Sequence, residues 1–135
     1  MILTDAGPLV ALLDDSERNH RRCVAVAASI APPMVTTWPA FTEAMYLLGR
    51  AGGWPAQASL WTIVERGTLL IADLSEAAVV RMRGLMEQYH DLPMDLADAS
   101  LVALAEERGQ SRIFTLDSDF RVYRLQRGRA FTIVP

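Results

Sequence analysis

Lysine is absent from this chain of 135 residues, and all 13 of its basic side chains are arginine. That absence removes chemistry that needs a lysine. No Gly-Lys-Ser/Thr loop is present to cradle a phosphate, and no Gly-x-Gly-x-x-Gly turn occurs. Aspartyl-phosphate transfer that relies on a lysine beside the phosphate is excluded on the same ground. One cysteine, Cys23, forbids an internal disulfide and a cysteine-rich zinc site. Two histidines, His20 and His90, give little support to a histidine-rich zinc site. Residues 23–42 carry no charge, which raises the question of a membrane span. Pro32-Pro33 and Pro39 interrupt that stretch, and Ser29, Thr36 and Thr37 dilute it. A buried helix followed by a buried strand accounts for it better, so no membrane association is expected. No basic segment precedes an apolar run at the N-terminus, so a secretory signal is not expected and the expected location is cytoplasmic.

What is present is apolar and slightly acidic. Hydrophobic residues make up 51% of the chain, enough to bury a core, and the length suits one domain over residues 1–135. The net charge of −3 rules out a basic coat over the whole surface, so nucleic-acid binding would need a local patch.

Short apolar runs alternate with helical segments. Residues 1–4 read as a buried strand ending on Asp5, and Pro8 to Leu13 as a helix. Residues 17–31 read as a helix with Cys23, Val24, Ala27 and Ile30 or Ala31 on its apolar face. A strand at 34–37 precedes helices at 39–50 and 55–66, separated by Gly52 and Gly53. A strand at 68–73 leads to helices at about 76–90 and 95–108, with Ser75 and Gly109 as cap residues. Residues 112–116 form a strand ending on Asp117, a short helix follows, and 130–134 is the last strand. Continuous apolar strands between helices predict an α/β fold with a parallel sheet covered on both faces. In such sheets the ligand site lies beyond the carboxyl ends of the strands.

Four acidic residues converge on that edge in this reading: Asp5 and Asp117 directly after strands, Glu43 and Asp98 in helices. Each has an ordinary explanation too. Asp5 shapes a turn, Asp95 caps a helix, Asp98 suits its first turn, and Asp117 and Asp119 suit the start of the short helix. Glu43 fits these roles least, because it lies too far into an apolar helix to complete a capping box with Thr37. Four carboxylates in one cleft repel one another and take up protons unless a cation is present. Oxygen ligands without histidine or cysteine select Mg²⁺ or Mn²⁺ over zinc, and such ions serve phosphodiester hydrolysis.

The opening Leu3-Thr4-Asp5-Ala6-Gly7-Pro8-Leu9-Val10-Ala11-Leu12-Leu13-Asp14 resembles the start of PIN domains, especially the VapC toxins. The stretch from Thr37 through Glu43 to Ala44 resembles their second acidic motif. Leu96-Ala97-Asp98-Ala99-Ser100-Leu101-Val102-Ala103-Leu104-Ala105 is similar to the third, and Ile113-Phe114-Thr115-Leu116-Asp117-Ser118-Asp119-Phe120 to the fourth. The resemblance covers essentially the whole chain. It implies a three-layer α/β/α PIN-like domain with a central parallel sheet. It also implies a Mg²⁺- or Mn²⁺-dependent endoribonuclease, usually a toxin held by a cognate antitoxin, and a homodimer. Carried over by position, Asp5, Glu43, Asp98 and Asp117 form the acidic quartet. Asp119 and Asp95 are auxiliary residues, and Thr115 orients a carboxylate or water through its hydroxyl.

Other residues carry weaker signals. His20, His90 and Cys23 read as structural, and Trp38, Trp54 and Trp61 as packing rather than base-stacking groups. Arg121, Arg124 and Arg127 recur every three residues in a segment, 108–135, that holds six arginines and two aspartates. They are a candidate RNA-binding stripe or a solvated helix face, in equal measure. A PIN-fold nuclease outside a toxin–antitoxin system, or a non-catalytic binding module of the same fold, are the alternative functions.

Overall fold

The computed structural model describes residues 1–135. Its strands are β1 (Ile2–Thr4), β2 (Met34–Thr37), β3 (Leu69–Ala72), β4 (Arg112–Phe114) and β5 (Thr132–Val134). Its helices are α1 (Ala6–Leu13), α2 (His20–Ser29), α3 (Trp38–Glu65), α4 (Glu76–Gln88) and α5 (Leu96–Arg108). Neighbouring residues of a strand point to opposite faces, and here each face meets its own core. Ile2, Met34, Leu69 and Phe114 pack with α1, α2 and α3. Leu3, Val35, Ala72 and Ile113 pack with α4 and α5. That two-sided burial is why the strands read as continuous apolar runs and not as alternating ones. The result is a three-layer α/β/α arrangement.

All four strand pairings are parallel, in the order β3-β2-β1-β4-β5. The chain builds outward from β1 to β3, then crosses back to place β4 on the other side of β1. The connections therefore diverge between β1 and β4, where parallel sheets open a crevice at their carboxyl ends. Asp5 follows β1 and Asp117 follows β4, so both border that crevice.

Helix α5 forms the buried wall beside it. Residues 97–105 are all buried, and the small side chains of Ala97, Ala99, Ala103 and Ala105 let neighbouring elements approach closely. Its buried Ser100 hydroxyl donates to Ala97 O at 2.7 Å and lies 2.6 Å from the Thr37 hydroxyl. Asp95 caps the start of α5 and Gly109, at φ 62°, closes its end.

Several expectations change in detail. The two helices expected at 39–50 and 55–66 form one span, α3, broken at Gly53, whose φ of 66° and ψ of −156° are not helical. Helix α2 is shorter than expected, and Val24 on its expected apolar face is solvent-exposed while Cys23 and Ile30 are buried. The short helix after Asp117 is a 3-10 turn, Ser118–Arg121, followed by a second at Gln126–Gly128. Arg121, Arg124 and Arg127 therefore do not share a helix face. Arg127 sits at φ 63°, and the Arg124 guanidinium donates to the carbonyls of Arg121, Val122 and Tyr123. Trp38, Trp54 and Trp61 are exposed, although Trp38 and Trp61 each meet the buried Phe41 edge to face. Among the residues read as structural, Cys23 is buried and His20 Nδ1 lies 2.7 Å from Ala11 O, but His90 is exposed. No helix is long and apolar enough to cross a membrane.

Candidate active site

Asp5 is placed by the end of β1 and the start of α1. Its backbone N–H donates to Phe114 O at 2.9 Å, which ties the turn to β4. One carboxyl oxygen accepts from Ala6 N–H at 2.7 Å, so Asp5 is also the α1 cap. The other accepts from the Thr115 hydroxyl at 2.8 Å. That hydroxyl in turn accepts from Asp117 N–H at 3.0 Å, so Thr115 links the acidic residues after β1 and β4. Asp117 accepts from Asp119 N–H at 2.9 Å and thereby starts the 3-10 turn.

Asp98 enters from the first turn of α5. Asp95 fixes that turn by accepting from Asp98 N–H at 2.8 Å. The buried Asp98 carboxyl accepts from the Tyr123 hydroxyl at 2.6 Å. Tyr123 was not among the residues the sequence pointed to. It lies in the stretch read for its arginines, and nothing near it signals a partner on α5.

A pocket of about 260 Å³ gathers the acids: Asp5, Glu43, Asp95, Asp98 and Asp117 line it, with Gly7, Leu47 and Leu116. No basic side chain lines it. Glu43 stands at its exposed rim on α3. Asp119 is not in the lining, yet Asp98, Asp117 and Asp119 can bring one oxygen each within 4.8 Å of one another.

The electrostatics follow from this crowding. Burial pushes the Asp5 carboxyl up to about 6, aided by the charges of Asp117 and Asp95 and opposed by its bonds from Thr115 and Ala6. Burial pushes Asp98 further, to about 8; the Tyr123 bond opposes this, and Asp95, Asp5 and Asp117 add to it. Glu43 is raised as well, by desolvation first and then by Asp5, Asp95 and Asp117. The Tyr123 phenol is raised by burial and by its bond to Asp98, so it remains a donor. Tyr123→Phe is expected to cost about 1 kcal/mol of stability. It should also move the Asp98 titration upward, because the lost bond favours the carboxylate. Carboxyl carbon NMR shifts against pH check this; an unmoved midpoint would show that the hydroxyl does not act on Asp98.

Comparison with known proteins bears on the family and the fold. The chain is 26% identical over 135 residues to Ribonuclease VapC26 of Mycobacterium tuberculosis, covering 99% of this chain and all of that protein. Its fold is similar to that of VapC20 of the same organism, a sarcin–ricin loop cleaving toxin. The TM-score is 0.83 at 18% identity, covering 90% of this chain and 94% of the other. It is similar also to a chain of a toxin–antitoxin complex from Klebsiella pneumoniae, at TM-score 0.69 and 20% identity, covering 100% of this chain and 97% of that one. Residues 2–125 match the model of the PIN domain, and with that match over most of its length the chain belongs to the PIN-domain family.

Proposed function

We propose that this chain is a divalent-metal-dependent endoribonuclease that hydrolyses RNA phosphodiesters, and that it is the toxin of a VapBC-type pair. The observation that carries the reading is the pocket of five carboxylates with no basic counter-charge, at the carboxyl edge of the sheet. Its donor set is all oxygen, as Mg²⁺ and Mn²⁺ prefer. Asp5 and Asp98 are raised first by burial and then by the neighbouring acids, and no basic side chain lines the pocket to offset either, so a dication fits.

In this reading Asp5, Asp98 and Asp117 hold the metal, with Glu43 completing the quartet from the rim and Asp119 assisting. A divalent ion supplies charge stabilisation for the phosphate and an activated water. Thr115 fixes the orientation of Asp5, Tyr123 that of Asp98, and Asp95 the first turn of α5. Glu43 makes no side-chain hydrogen bond to the protein, and burial and the neighbouring acids raise its carboxyl, which makes its carboxylate a stronger base for taking a proton from water. The partners proposed are an RNA substrate, a cognate antitoxin and a second copy of the chain, acting in the cytosol. The whole of residues 1–135 is taken as one domain.

The test is cleavage of end-labelled RNA by the purified chain with Mn²⁺, with Mg²⁺ and with EDTA. Internal cuts that need metal are expected. A folded preparation that cuts no RNA from total cellular extracts under any metal would overturn the proposal and leave a non-catalytic module of the same fold.

A further inference from the structure

We propose that Arg18, Arg22 and Arg121 form a phosphate-binding subsite that holds the RNA backbone next to the bond being cut. This rests on the nuclease reading above and replaces the helical stripe with a different set of arginines.

The three side chains come from two distant parts of the chain: Arg18 and Arg22 flank the start of α2, and Arg121 ends the 3-10 turn after β4. They line one pocket of about 180 Å³, together with Thr115, Asp117 and Ser118 among others. That pocket shares Leu116 and Asp117 with the acidic pocket, so the two are adjoining parts of one surface. None of the three arginines takes part in an ion pair; the pairs formed are Arg81–Glu106, Arg83–Glu87 and His90–Asp91.

The end of α2 is unusual for a helix start. A helix N-terminus carries partial positive charge and favours acids in its first turn. This one has His20, Arg21 and Arg22 there, no acid, and no side-chain cap from Asn19. Glu17 is occupied by the Asn19 N–H at 2.8 Å. The chain thus concentrates positive charge where local stability disfavours it, a conflict of the kind expected at functional positions. An anion seated between the arginines and the helix end would resolve it.

The lining selects a phosphate over a base. It has no aromatic ring on which a base could stack. Guanidinium groups match phosphate oxygens in pairs. The position also answers an electrostatic need, because an acidic pocket repels a polyanion and the neighbouring arginines offset that repulsion.

The test measures anisotropy of a fluorescein-labelled single-stranded RNA over a salt series in Ca²⁺, and cleavage of the same RNA in Mn²⁺. The proteins are wild type, Arg22→Gln/Arg121→Gln, Arg22→Lys/Arg121→Lys, and Arg83→Gln as a control of equal surface charge type. The glutamine double variant should bind roughly tenfold or more weakly. Its salt slope should flatten by about 1.4, at about 0.7 per lost phosphate contact. The lysine variant should keep the wild-type slope, and Arg83→Gln should change neither quantity. If wild type binds and cuts RNA while the glutamine variant matches it in affinity and slope, the subsite is overturned and the nuclease reading stands. If wild type neither binds nor cuts RNA, the nuclease reading fails and the subsite with it.

Discussion

Asp98→Asn is expected to abolish RNA cleavage and, in metal-free buffer, to raise the melting temperature. The two effects have one cause. Asp98 is a carboxyl buried among carboxyls, raised to about 8 by burial and by the charges of Asp95, Asp5 and Asp117. Keeping it ionised at neutral pH costs stability, and keeping it protonated costs a proton that the unfolded chain would not bind. Asparagine has the same shape, can still accept from the Tyr123 hydroxyl, and carries no charge. Each pKa unit corresponds to about 1.4 kcal/mol. Solvent at the pocket mouth screens part of that, so a gain of about 1–2 kcal/mol is expected, or roughly 3–8 °C. The same change removes a negative ligand oxygen from the proposed metal set. A rate loss of about 10³-fold or more should follow, equivalent to roughly 4 kcal/mol of transition-state stabilisation. Single-turnover cleavage in Mn²⁺ and calorimetry in EDTA measure the two halves. Near-wild-type cleavage would remove Asp98 from the machinery. A lower melting temperature would mean that packing and the Tyr123 bond, not charge, govern this position. Asp95→Asn should do less on both counts, because asparagine caps a helix almost as well as aspartate.

The fold was legible because its signals are local. Apolar strands ending on Asp5 and Asp117, proline at helix starts, Ser75 and Gly109 at helix ends all act within a few residues. The strand order was not legible, since nothing local to β4 says that it joins β1 on the side away from β2. The acidic residues were legible as a set through their places at the predicted sheet edge together with their motifs. Singly, Asp5, Asp95 and Asp117 do cap helical turns, so the ordinary explanation of each holds, and capping does not conflict with the proposed role in the acidic site. What sequence could not supply were partnerships across long separations: Tyr123 with Asp98, Thr37 with Ser100, and Arg121 with the start of α2. The arginine stripe failed as a helix face for a related reason. A spacing of three residues implies neighbours only on a continuing helix, and the chain leaves 3-10 geometry after Arg121.

Saturating Mn²⁺ should stabilise the fold, and by more at pH 8 than at pH 6. At a concentration about 100 times the dissociation constant the gain is about 2.7 kcal/mol for one ion that binds only the folded chain. Its pH dependence follows from the two raised carboxyls. Asp5 and Asp98 have folded-state values of about 6 and about 8 against an ordinary 3.8. A carboxyl raised in this way binds its proton more tightly folded than unfolded. Its effect on stability is therefore absent below the ordinary value. The penalty grows as pH rises from 3.8 and levels off once pH passes the folded value, at about 6 for Asp5 and about 8 for Asp98. The metal-free protein should lose stability through that window by way of these two groups. A dication competes with the same protons, so its apparent affinity rises as they leave. Other carboxyls and ion pairs also titrate, and the difference between wild type and Asp98→Asn at each pH isolates the contribution of Asp98. Melting curves at fixed ionic strength, with and without Mn²⁺, should show that difference widening from pH 6 to pH 8. Glu43→Gln should keep most of the metal effect, since Glu43 stands at the exposed rim and desolvation is the largest single cause of its raised carboxyl. A Mn²⁺ effect that is absent, or that is the same at both pH values and in both proteins, would mean that the carboxylates crowd together for another reason and that the pocket does not hold a metal.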